Sequence, residues 1–148
     1  MYTELFSEVH AVLQAVEPQS LNADADTLYV DMANYHRAVL VVSVGSTSGD
    51  VEVELLQCDS DVDDSNEKVI EDDAGNEKYA FLNDAYAFPA LIMIELRTEE
   101  LDVNGGFHYV GVHLDTSDGG GANVSYILYG IAPRFMPVPT TLIEEIVP

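Results

Sequence analysis

The densest group of side chains able to do chemistry runs from Asp59 to Glu67, where Asp59, Asp61, Asp63, Asp64 and Glu67 stand among Ser60, Ser65 and Asn66. Closely spaced oxygen ligands in one loop suit a hard cation such as Ca²⁺. An EF-hand loop also needs glycine at its sixth position and glutamate at its twelfth. Counted from Asp59, those positions hold Asp64 and Ile70, so the motif fails. A solvated acidic loop is the stronger reading, and no metal ligand is assigned. His108 and His113 are the one close histidine pair, five apart in a stretch that reads as a strand. That spacing sends their side chains to opposite faces, where they share no ion. His10 and His36 are isolated.

Nucleophilic chemistry is no better supported. Gly45-Ser46-Thr47-Ser48-Gly49 puts glycines around serines, but its flanks read as a turn between strands, not as the strand-to-helix elbow of a hydrolase. Cys58 follows an apolar run and borders acidic residues, a setting that blunts thiolate reactivity. It reads as a partly buried structural thiol. Gly105-Gly106 and Gly119-Gly120-Gly121 open no helix, so they are turn glycines and not phosphate cradles. Paired carboxylates carry no signal in a chain with 27 acidic residues. No catalytic, cofactor-binding or metal-binding residue is assigned, and the expectation is that the protein is not an enzyme.

The charge balance narrows the partners. The 148 residues carry 27 Asp plus Glu against 5 Lys plus Arg, for a net charge of -22. Nucleic-acid phosphates and anionic membranes both repel such a chain, so neither is an expected partner. High negative charge keeps a protein soluble, and salt softens the self-repulsion. A 47% apolar content is that of a folded domain, not of a disordered chain. Cys58 is the single cysteine, so no intrachain disulfide forms. The first residues lack the basic and apolar regions of a secretory signal. No stretch reaches the roughly 18 apolar residues of a membrane-spanning helix.

The elements that must position any site read mostly as β. Residues 1–26 read as an N-terminal arm or short helix. From Glu4 to Val16 helical spacing and strand alternation are balanced, and Pro18 is expected to end either one. Residues 27–132 read as an antiparallel β-sandwich or jelly roll. Arg37 to Gly45 is a β-branched run suited to a strand covered on both faces. Asp50 to Leu55 alternates acidic with apolar residues, as a half-buried strand does, and the Ser/Thr/Gly link between these two runs suggests a hairpin. Further strands are expected at Thr27–Asp31, Lys78–Leu82, Ala90–Arg97, Phe107–Asp115 and Ala122–Ile131. The last two are expected to join through a glycine-rich hairpin tip. The final strand is apolar on both faces, which places it centrally or at a subunit contact.

Residues 133–148 form a proline-rich apolar tail in which neither helix nor central strand is expected. An extended tail this apolar needs a surface to cover. Phe135, Met136, Val138, Leu142 and Ile143 are the residues expected to make intersubunit contact.

The order of motifs carries a resemblance. Asp31-Met32-Ala33-Asn34-Tyr35 precedes an apolar run ending in Val44-Gly45, and Leu55-Leu56-Gln57-Cys58-Asp59-Ser60-Asp61 follows. Further on come Asn104-Gly105-Gly106-Phe107-His108-Tyr109-Val110-Gly111-Val112 and then Gly130-Ile131-Ala132-Pro133-Arg134-Phe135-Met136-Pro137-Val138. Over about Leu28 to Val138 this resembles small virion proteins of tailed bacteriophages encoded among head genes. His108 and Gly111 stand where such proteins carry basic residues, and the loop after Cys58 is longer and more acidic. The resemblance implies a structural protein of the virion capsid surface: a decoration, or cement, protein bound to the major capsid protein on the outside of the head. It implies no cofactor. Symmetric lattice sites favour a homotrimer. A head–tail connector or tail component is the alternative within the virion. A carbohydrate- or calcium-binding β-sandwich module is the alternative outside it, with Tyr29, Tyr79, Tyr86, Phe88 and Tyr109 as a candidate sugar platform.

Overall fold

The computed structural model describes residues 6–22, 24–26, 28–47, 49–62, 66–83, 89–116 and 121–134. Among the described residues a single helical turn, α1 (Phe6–Val9), leads into ten strands. They are β1 (His10–Leu21), β2 (Asp24–Asp26), β3 (Val30–Asp31), β4 (Tyr35–Thr47), β5 (Val51–Cys58), β6 (Lys68–Val69), β7 (Tyr79–Leu82), β8 (Ala90–Arg97), β9 (Tyr109–Asp115) and β10 (Ala122–Pro133). Two 3-10 turns, Thr98–Glu100 and Val103–Gly105, lie between β8 and β9. The long strands fall where β-branched residues and alternation put them.

The strands form two antiparallel sheets. Sheet A has the order β1-β10-β4-β8. Sheet B has the order β2-β9-β5-β6, with β3 also on β9 and β7 also on β5. β2 and β3 therefore share one side of β9, and β6 and β7 share one side of β5. The pairs then nest: β1 with β10, β2/β3 with β9, β4 with β8, and β5 with β6/β7. A chain nested this way is one long hairpin rolled across two sheets, which is a jelly roll. The sandwich expected from the sequence is thus present, in its jelly-roll form.

Two expected hairpins are absent. β4 lies in sheet A and β5 in sheet B, so the link between them carries the chain across the sandwich. β9 and β10 are likewise divided between sheet B and sheet A. A short polar link between two alternating runs turns within one sheet or steps to the other. Alternation alone is blind to the difference, because both outcomes bury one face of each strand.

The segment before residue 27 resolves its ambiguity both ways. Among the described residues of this segment helix is confined to Phe6–Val9, and His10–Leu21 is an edge strand of sheet A. Pro18 does not end it. The pairing of β1 with β10 shifts register between Val12 and Gln14 and again between Val16 and Gln19, and Pro18 sits within the second shift. An edge strand at a bulge is where a proline's missing N–H leaves no ladder bond unmade.

The core lies between the sheets. Sheet A contributes Ala38, Leu40, Val42 and Val44 from β4, Ile92, Ile94 and Leu96 from β8, and Val124, Tyr126 and Leu128 from β10. Sheet B supplies Val51, Val53 and Leu55 from β5 and Val110, Val112 and Leu114 from β9. Each of the Val, Leu and Ile side chains contributes about 1.5–3 kcal/mol when fully buried. Met32, wholly buried, closes one end. Its N–H donates to the His108 carbonyl at 2.9 Å, and the Tyr35 N–H donates to the Met32 carbonyl at 3.1 Å, so the Asp31–Tyr35 motif is a tight corner into β4.

Candidate interaction surface

Strand alternation gives each sheet a second, outward face, and the two outward faces differ in chemistry. On sheet A the outward positions of β4 are Val39, Val41 and Ser43, since Ala38, Leu40, Val42 and Val44 are buried. Their cross-strand partners share that face. Val41 is flanked by Met93 and Ile127, and Ile127 by Ala15. Val39 is flanked by Glu95 and Tyr129, and Tyr129 by Val12. Ser43 is flanked by Leu91 and Ser125. Phe6 of α1 meets Tyr129 edge-on at 5.6 Å and stacks on His10 at 4.1 Å, which extends the apolar strip over the edge strand. Phe6, Leu91 and Met93 are 60%, 69% and 59% exposed. Folded monomers rarely leave a contiguous apolar patch across several strands open to water unless something covers it.

On sheet B the same construction gives an acidic face. Glu52 and Glu54 point outward from β5, opposite Asp115 and His113 of β9. Beyond β9, Asp24 and Asp26 of β2 take the register positions next to Asp115 and His113. Burial, and then Glu52, push the Glu54 carboxyl above its ordinary value; Glu77 and Glu67 add to the rise, and His113 opposes it. Such crowding of like charge is stable only where water and ions reach it. Tyr79 and Phe81 of β7 border this face, opposite Glu54 and Glu52.

A polar corner lies where β8 runs into the first 3-10 turn. Glu100, with a side chain only 3% exposed, accepts the Arg97 N–H at 2.8 Å and pairs with Lys78 at 3.1 Å and with the Arg97 guanidinium at 3.1 Å. Arg97 also pairs with Asp73 at 2.7 Å and Glu99 at 3.2 Å. Lys78 donates to the Glu95 carbonyl at 3.0 Å, which occupies part of the free edge of β8. Thr98 Oγ1 donates to the Tyr35 carbonyl at 2.7 Å and ties this corner to the start of β4.

The residues singled out by the sequence are dispersed. In the acidic loop Asp59 accepts from Asn66 Nδ2 at 3.0 Å, Ser60 Oγ accepts from the Val62 N–H at 3.2 Å, and Glu67 accepts from the Tyr29 hydroxyl. Residues 63–65 of that loop lie outside the described residues. Among the described residues no three His, Cys, Asp or Glu side chains are grouped to hold a metal ion. His113 is on the acidic face, while His108 precedes β9, its Nδ1 2.7 Å from the Gly106 carbonyl oxygen. Cys58 is fully buried, more deeply than expected, in a small cluster with Tyr29 and Leu56 on the outer side of sheet B. The Tyr29 ring lies over Gly111, where an added Cβ would stand 2.7 Å from the ring. Gly111 is therefore a packing requirement. Tyr79 pairs with Glu54 and Tyr109 with Cys58, so these rings sit four positions apart along β5. Tyr86 and Phe88 lie outside the described residues, as do Phe135, Met136, Val138, Leu142 and Ile143. The described chain reaches Arg134, whose N–H donates to the Asn34 carbonyl at 2.8 Å.

The apolar face was within reach of the sequence. Val39 and Val41 lie in Ala38–Val42, apolar at every position, and Ile127 and Tyr129 lie in a strand read as apolar on both sides. Leu91 and Met93 were less legible because Ala90–Arg97 fits helix and strand alike on pattern, and the two place different residues on one face.

The class defined by fold and surface is a jelly-roll sandwich with one apolar and one acidic outer face. No family model matches the chain, and no curated protein matches it. Among solved structures the chain is similar to one from tobacco necrosis virus, at 12% identity over 84% of this chain and 94% of that one, with a TM-score of 0.35.

Proposed function

We propose that the protein is a non-enzymatic structural component of a virion: a decoration, or cement, protein that binds the outside of a tailed-phage head and stabilises the shell. The observation that carries this reading is the opposition of the two outer faces. A cement protein needs a rigid domain, one face that leaves water against the major capsid protein, and another that keeps a densely covered particle soluble. The apolar strip of sheet A fits the first role and the acidic face of sheet B the second. The motif order from Leu28 to Val138 supports the same reading. The unit on the lattice is a homotrimer, with Phe135, Met136, Val138, Leu142 and Ile143 of the tail reaching a neighbouring copy.

Purified virions test the proposal. Quantitative mass spectrometry is expected to find the protein at a fixed ratio to the major capsid protein, in multiples that fill threefold sites. Its absence from washed virions would refute the reading. A ratio of a few copies per particle would move it to the neck or tail.

A further inference from the structure

We propose that a cleft at the Arg37 end of sheet A is a binding site for a single side-chain carboxylate presented by a partner protein. The chain has only five Lys and Arg residues, three of them arginines, against 27 acids. All three arginines, Arg37, Arg97 and Arg134, line one cleft of about 390 Å³ together with His36 and Glu99. They come from distant parts of the sequence, and rigid elements bring them together. Arg37 stands directly across the ladder from Arg97 and, on its other side, from Ile131. Arg134 follows β10 and is held through its N–H to Asn34, at the turn that opens β4.

Like charges directly opposite on neighbouring strands destabilise a sheet. Arg97 meets that cost with Asp73, Glu99 and Glu100. Among the described residues, neither Arg37 nor Arg134 has a carboxylate partner for its guanidinium. Glu99 also lines the cleft but pairs with Arg97, so in a chain with more than five acids per base Arg37 and Arg134 are left there without an acid of their own.

The charge of the whole molecule selects the ligand class. A guanidinium fork matches the planar carboxylate and donates two parallel hydrogen bonds to it. A polyanion would meet the same two arginines but also the field of a chain with net charge -22. A singly charged carboxylate takes the local attraction with the least long-range repulsion. Arg37 lies on the outward face of β4 in line with Val39 and Val41, so the cleft rims the apolar strip. A surface that covers the strip presents its acidic group there, and the pair sets the register of docking. Which protein brings the carboxylate rests on the capsid reading; that the cleft accepts one does not.

The test is an NMR titration of the arginine Nε–H signals of the full chain with a capped peptide that carries a single glutamate between glycines, at low salt. Saturable shifts are expected at Arg37 and Arg134, with a Kd on the order of 1 mM. Arg37→Gln and Arg134→Gln should each weaken binding about ten-fold, while Lys68→Gln leaves it unchanged. Both arginines are exposed, so the variants keep the fold. Absence of saturable shifts, or equal binding by the double variant, would overturn the proposal. Tighter binding of inorganic phosphate than of the peptide would overturn the carboxylate assignment. None of these outcomes depends on a virion.

Discussion

Gly121→Ala is expected to cost more than about 3 kcal/mol, a large share of the ~5–15 kcal/mol that holds a domain together. Two independent causes add. Gly121 has φ +92°, a conformation that costs an alanine about 1–2 kcal/mol. A Cβ there would also lie 2.3 Å from the Leu21 carbonyl oxygen and 2.9 Å from the Asn22 Cβ. The oxygen is the backbone carbonyl of Leu21, which pairs with Ala122, the neighbour of Gly121, at the end of the β1–β10 ladder, so no rotamer relieves the contact. Relief requires the opening of the ladder that closes the nested hairpin. Gly75→Ala is the control. Its φ is +79°, but nothing lies within 4 Å of the added carbon, so the conformational cost of about 1–2 kcal/mol stands alone. Urea unfolding of the two variants separates the causes. A Gly121→Ala loss no larger than that of Gly75→Ala would contradict the packing described.

Glu100→Gln is expected to cost about 2–4 kcal/mol at neutral pH. The carboxylate is nearly inaccessible and serves the Arg97 N–H, the Arg97 guanidinium and Lys78, whose side chain is itself only 20% exposed. Removal of one member of a buried pair leaves the other charge uncompensated, at about 3–5 kcal/mol. The partial exposure of Arg97, and its remaining acids Asp73 and Glu99, bring the figure down. The pH dependence has a definite sign. Burial alone would raise the Glu100 carboxyl, but the Arg97 N–H, then Lys78 and the Arg97 side chain, outweigh it and hold the group below its ordinary value. The unfolded chain therefore takes up this proton first as pH falls. The stabilisation is whole above the ordinary glutamate value of about 4.3 and is lost as pH falls through the lower folded value. The difference between wild type and Glu100→Gln should narrow across that acid range; a gap that holds constant to pH 2.5 would contradict the account.

These two residues mark what the sequence makes legible and what it hides. The strands from Tyr35 onward were readable because β-branched runs and alternation report burial residue by residue, as in Asp50–Leu55. The sandwich followed from their spacing. The route of the chain between sheets did not, since a four-residue polar link looks alike in a hairpin and in a crossover. Pro18 was misread because its tolerance depends on the edge position and bulge of β1, both tertiary facts. The same limit hid the site. Arg37, Arg97 and Arg134 are scattered in sequence, and only the pairing of β4 with β8, together with the end of β10, brings them to one cleft. Glu100 is one acid among 27 until the Arg97 N–H selects it. By contrast, the doubly apolar runs at Arg37–Gly45 and Ala122–Ile131 did announce an apolar outer face. Their outer sides are half-buried in the isolated chain, and under the capsid reading the remaining cover is the shell.

The most direct test of that reading is co-sedimentation with phage heads assembled without this protein, comparing substitutions on the two faces. Leu91→Glu with Met93→Glu places two charges on the apolar strip at exposed positions, so the fold is kept. Glu52→Gln with Glu54→Gln alters the opposite face by a similar amount of charge. The apolar-face variant should bind heads on the order of 100-fold or more weakly, because unpaired charges in a buried contact cost several kcal/mol. The acidic-face variant should bind as wild type does. Equal binding by all three proteins, or loss confined to the acidic-face variant, would contradict the account.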